Sequence, residues 1–163
     1  MIKCKKMRIV FLSVIFLIMS SINVMASDFE GKEVIAIDYE YFADGSYFEI
    51  VTYTDMTVNR GVRNSYRTST FYNENKKAMW YVTVPASFSY DGNTSKCTSA
   101  SASAGSYVDT WKIKNKSASR NGNKATATAT ANRYFLNTVV ETLTRSVTLG
   151  CDKNGNLIKE KRH

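Results

Sequence analysis

Met79-Trp80-Tyr81-Val82-Thr83-Val84-Pro85-Ala86-Ser87-Phe88-Ser89-Tyr90 is the stretch that decides the fold. Trp80, Val82, Val84, Ala86, Phe88 and Tyr90 fall on one side of an extended chain. Met79, Tyr81, Thr83, Pro85, Ser87 and Ser89 fall on the other. Successive side chains of a strand point to opposite faces, so this period of two predicts a long, half-buried strand. Pro85 has no N–H to give to a ladder, which predicts an edge strand or a bulge there.

The same period continues on both sides. Val34 to Phe42 and Ser46 to Thr54 flank Asp44-Gly45, a hairpin signal. Ser65 to Tyr72 is rich in threonine and tyrosine, and a polar turn follows it. Trp111, Ile113 and Asn115 alternate with Lys112, Lys114 and Lys116. Lys124 to Leu136 alternates alanine with threonine. Its Ala125, Ala127, Ala129 and Ala131 suit close packing against a large side chain, for which Trp80 is the candidate. Thr138 to Leu149 is β-branched. The small, polar stretch Thr98 to Ser106 reads as the long loop. No helical stripe interrupts this series. The expectation is an all-β chain of about eight strands, a two-layer antiparallel β-sandwich of immunoglobulin-like type.

The 163 residues are 44% hydrophobic and 22% charged, enough for one domain with a core. Eight glycines and one proline exclude collagen-like and low-complexity classes. The N-terminus reads differently from the rest. Lys3, Lys5, Lys6 and Arg8 precede an apolar run from Ile9 to Met19, and Val24-Met25-Ala26 supplies small residues for cleavage. This is the pattern of a secretory signal peptide over residues 1–26, cleaved after Ala26. The run is too short to span a bilayer comfortably. Cys4 precedes it, whereas a lipidated cysteine would follow the cleavage point. The expectation is a secreted, extracellular protein, residues 27–163, that meets a membrane only through its signal peptide.

Charge is segregated along that domain. The full chain carries a net +8. Asp28 to Asp55 holds eight acids and one base, whereas Met56 to His163 holds seventeen bases and six acids. The domain divides into an acidic N-terminal hairpin (27–55) and a basic body (56–163). The plainer reading is that the acidic part packs beside the basic part and offsets it. The sharper one is a basic face that meets an anionic polymer. Lys112, Lys114 and Lys116 share one face if their strand is regular, and with Arg60, Arg63 and Arg67 they form the candidate binding surface. Lysines on an edge strand also discourage edge-to-edge association, the plainer role.

Cys97 and Cys151 are an even pair in an exported chain and predict one disulfide. No metal site is expected, because two cysteines lack further ligands and the sole histidine is His163. No cofactor is expected. The tyrosines at 39, 41, 47, 53, 66, 72, 81 and 90, with Trp80 and Trp111, suit either a sugar-binding platform or, more ordinarily, core and cross-strand pairs. Thr126, Thr128 and Thr130 make one row of hydroxyls, which is not an array. Ala36-Ile37-Asp38-Tyr39-Glu40 approaches the E-x-D-x-E pattern of one glycosidase family, but Ala36 replaces a required carboxylate. Asp152-Lys153-Asn154-Gly155-Asn156 reads as a turn rather than a calcium loop, since its glycine comes early and no closing glutamate follows. No G-x-S-x-G elbow occurs. No catalytic residue is proposed, and no enzyme activity is expected.

Asp44-Gly45-Ser46-Tyr47-Phe48-Glu49, Met79 to Val84, Phe88-Ser89-Tyr90-Asp91-Gly92, Cys97-Thr98, Trp111-Lys112-Ile113, Asn123 to Ala127, Arg133-Tyr134 and Val147-Thr148-Leu149-x-Cys151 resemble small secreted proteins of Gram-positive bacteria, an uncharacterised family with one two-cysteine β-domain. The resemblance spans Ala43 to Leu157. It implies export, one β-domain and the cysteine pair, and carries over no activity. The leading expectation is a non-enzymatic binding module for an anionic cell-envelope polymer or an extracellular protein. The alternative is a small extracellular hydrolase using carboxylates of the first hairpin. Nucleic acid is not expected, because nothing places stacking aromatics beside the basic residues.

Overall fold

The central strand of the molecule is the one with the clearest alternation. In the computed structural model, which describes residues 31–56 and 60–159, ten strands run in chain order. They are β1 (Lys32–Tyr41), β2 (Tyr47–Asp55), β3 (Val62–Tyr72), β4 (Ala78–Tyr90) and β5 (Ser95–Ala100). Then come β6 (Ser103–Ser106), β7 (Trp111–Asn121), β8 (Lys124–Phe135), β9 (Thr138–Cys151) and β10 (Leu157–Lys159). The signal-peptide reading of residues 1–26 lies outside the described residues.

Two antiparallel sheets form. Sheet A has the order β1-β2-β3-β4-β5, with β6 also on β4; sheet B has the order β10-β9-β8-β7. Strands of both sheets supply one shared core. From β4 come Trp80, Val82, Val84, Ala86 and Phe88, all buried. From β8 come Ala125, Ala127, Ala129 and Ala131, each 0% exposed. The same core cluster holds the indoles: Trp80 lies 6.2 Å from Trp111 and edge-on to Phe48. Burying one such aromatic stabilises by roughly 3–5 kcal/mol against alanine.

Pro85 lies in a central strand, not at an edge. The β4–β6 register ends at Thr83 and the β4–β5 register begins at Ala86. Proline therefore falls at the gap between two short neighbours, where a missing N–H breaks no ladder. The expected loop at Thr98–Ser106 is mostly strand, the end of β5 and all of β6. Its serines and alanines carry no apolar alternation, but they pair with β4, which supplies the core. Among the described residues the strands number ten rather than eight. Neighbouring strands within each sheet mostly follow one another in the chain, a meander, which departs from the Greek-key connections of an immunoglobulin-like sandwich.

The expected Cys97–Cys151 disulfide is not formed. Both residues are buried thiols in the shared core. The Cys97 N–H donates to Gly122 O and the Cys151 N–H to Asn123 O, so the turn between β7 and β8 holds both backbones. The Cys97 thiol donates to Ser99 O at 3.2 Å. Burial pushes both thiols above their ordinary pKa.

The β8–β9 hairpin runs past the sandwich. Beyond the pair Trp111↔Arg133, β8 has only β9 as its strand partner among the described residues. Its two-residue turn is Leu136-Asn137, with φ of 47° and 65°. Two positive φ values favour Asn-Gly or Asp-Gly, and a leucine held there costs about 1–2 kcal/mol.

Candidate functional site

The three arginines and three lysines of the expected surface do not come together. Alternation along β3 sends residues 63, 65, 67, 69 and 71 toward sheet B. Arg67 donates to Thr148 O at 2.9 Å and lies 3.7 Å from Asp38. Arg63 donates to Gly155 O at 3.1 Å. These two tie sheet A to sheet B, and only Arg60, in the turn before β3, is exposed. Nothing in the local sequence separates an inward arginine from an outward one until the register of β3 is known.

Lys112, Lys114 and Lys116 are all exposed on β7, the edge strand of sheet B. They do not form one regular row. A bulge between Ile113 and Asn115 makes Lys114 the extra residue. Lys112 then pairs with Asn132, on the outer face, and Lys116 with core-facing Ala129. The lysines fan around the edge instead of lining one side. Arg120, further along, donates to Thr98 O.

The outer face of sheet B carries a second row of hydroxyls that completes the first. Thr126–Thr148, Thr128–Ser146 and Thr130–Thr144 share hydrogen bonds of 2.9, 2.7 and 2.9 Å. Thr142 donates to Asn132 Oδ1 at 3.0 Å. The signal for the β9 row was present as Thr142-x-Thr144-x-Ser146-x-Thr148. Charge follows the layers: residues 111–159, which make sheet B, hold nine bases and two acids, whereas residues 32–106, which make sheet A, hold seven bases and eight acids.

The outer face of sheet A is a tyrosine ladder. Tyr47 and Tyr72 stack at 4.9 Å and 5°, and Tyr53 and Tyr66 at 5.0 Å and 10°. Centroids that close, between parallel rings, mean the rings stand upright and turn their faces to one another. This is the cross-strand role rather than a flat platform. Trp80 and Trp111 are core residues. Glu49 accepts hydrogen bonds from Tyr39 at 3.0 Å and Tyr72 at 3.4 Å. Burial, then the bond to Glu49, pushes the Tyr39 phenol up to about 12.

Two carboxylates of the first strand, Asp38 and Glu40, are engaged structurally. Glu40 meets Arg145 at 2.7 Å, and Arg145 also donates to Ser69 Oγ at 3.0 Å and lies 4.3 Å from the Phe48 ring centre. Asp38 faces Arg67. At the end of the sandwich a cleft of about 720 Å³ is lined by Asp44, Glu74, Asp109 and Glu141 with Lys77 and Arg133. Asp44 there is held below the usual carboxylate range by Ser46, whose hydroxyl donates to it at 2.6 Å. Glu141 is ion-paired with Arg133 at 3.1 Å. Among the described residues no group of three or more His, Cys, Asp or Glu could hold a metal ion. Comparison with models of protein families, with curated proteins and with solved structures returned no match.

Proposed function

We propose that this chain is an exported, non-enzymatic β-sheet module that binds an anionic cell-envelope polymer through sheet B. One observation carries the reading: charge is divided by layer, with the excess of bases on sheet B and exposed lysines along its β7 edge. An anionic polymer gains little from any single lysine, and several along one edge act together. The ladder of hydroxyls beside them offers hydrogen bonds to a polyol or sugar backbone. The inward arginines Arg63 and Arg67 take no part, and the binding group is Lys112, Lys114 and Lys116 with exposed Arg60 as an outlier.

The test is co-sedimentation of the exported form, Ser27 to His163, with isolated envelopes over a salt series. Pelleting that falls steeply with salt, and that Lys112→Glu/Lys114→Glu/Lys116→Glu abolishes, is the expected result. Pelleting unchanged by the triple reversal, or none at low salt, refutes the reading.

A further inference from the structure

We infer that the β8–β9 hairpin tip is a membrane-inserting element that seats in the interfacial region of a lipid bilayer, distinct from the polymer-binding lysines of the β7 edge.

The tip is apolar where a hairpin is ordinarily polar. Phe135 is 67% exposed, Leu136 83%, Val139 43% and Val140 50%. From Tyr134 to Val140 no residue is charged. Leu136 also occupies a position of positive φ that glycine or asparagine would fill with less strain. Folding alone thus argues against leucine at this position, and so does contact with water.

The geometry selects a lipid phase over a protein pocket. Tyr134 pairs with Val139 on one face of the two-stranded ribbon, Phe135 pairs with Thr138 on the other, and Leu136 caps the end. A protein pocket for this ribbon would have to enclose both faces and the tip. A fluid apolar phase does so without a preformed shape. Leu136 stands three residues beyond Arg133, or about 10 Å at strand spacing, against an insertion depth of roughly 5–10 Å for interfacial elements. The Arg133–Glu141 ion pair marks the boundary of the charged surface. Lys112 Nζ lies 5.3 Å from the Tyr134 ring centre at that same level, an amphipathic pair suited to headgroups. The neighbouring cleft carries Asp44, Glu74 and Asp109, so attraction to anionic lipid does not drive the contact. Burial of apolar surface does.

The test is flotation of Ser27 to His163, which contains all ten strands, with phosphatidylcholine vesicles in about 0.5 M salt, where charge interactions are screened within a few ångströms. The wild type should float with the vesicles. Phe135→Ser/Leu136→Gly should weaken partitioning about tenfold or more, while Lys114→Glu/Lys116→Glu, away from the tip, should leave it unchanged. A separate Leu136→Trp variant should show blue-shifted emission on vesicle addition, over the unchanged background of Trp80 and Trp111. Its readout does not depend on the double variant's folding. Four results overturn the inference: no flotation of the wild type, flotation only on anionic vesicles at low salt, flotation indifferent to the double variant, or tip-dependent dimers without vesicles.

Discussion

Arg145 shows what one inward charge does for this molecule. It is 5% exposed and held by Glu40, Ser69 and the face of Phe48. Removing the partner of a buried charge costs about 3–5 kcal/mol, less where the partner is half-exposed as Glu40 is. Glu40→Ala should therefore lower stability by about 2–3 kcal/mol in urea unfolding, on that same basis. An effect within experimental error would mean that water already solvates Arg145. Leu136→Gly should act in the opposite direction. It relieves the left-handed leucine and should raise stability by about 0.5–1 kcal/mol, less the entropy of a more flexible unfolded chain. Tyr39 sets a limit on the alkaline side. Its folded pKa of about 12 stands above the ordinary 10.0, so the fold favours the protonated phenol. That contribution is fully present below pH 10 and is lost as pH rises toward 12. Tyrosinate absorbance should appear later in the native protein than in urea; coincident titrations would remove the argument.

At the scale of the element, the aspartates of the turns act in the reverse sense. Asp44, Asp91 and Asp152 are held below their ordinary 3.8 by hydrogen bonds from nearby N–H and side-chain groups. Their contribution is present above that value and fades as pH falls through the lowered folded values. Asp152→Asn should flatten the acid limb of the stability profile, and an unchanged limb would exclude this turn as a contributor. The same scale shows which parts of the fold were legible. Strand β4 and the alanine row of β8 were readable because both obey a period of two without interruption. The lysine strand was not, since the bulge at Lys114 reverses the alternation and no residue announces it. Strands β5 and β6 were hidden because serine and alanine carry no apolar signal. For Cys97 and Cys151, sequence parity pointed to a bond that the structure does not form. Titration of residues 27–163 in denaturant without reductant should find two thiols, slow to react under native conditions because both are buried. No thiol in denaturant would establish the bridge instead.

At the scale of the whole molecule, segregation of charge along the chain becomes segregation by layer. This translation was only half visible in the sequence, because the acidic hairpin also neutralises the inward Arg67 and Arg145. Every principal strand pairing is between neighbours in the chain, with β6 on β4 as the exception. Such an order means that a chain delivered N-terminus first, whether from a ribosome or through a translocation pore, can pair each strand as soon as the next one emerges. Sheet A needs nothing beyond Ser106, and no early strand must wait for a distant C-terminal one. Sheet closure over short loops carries a small entropic penalty. Only the docking of the two layers must await the alanine row of β8, so the half-delivered protein is a one-layer sheet with Trp80 and Phe88 uncovered, and in that interval its exposed aromatic face is most prone to aggregate.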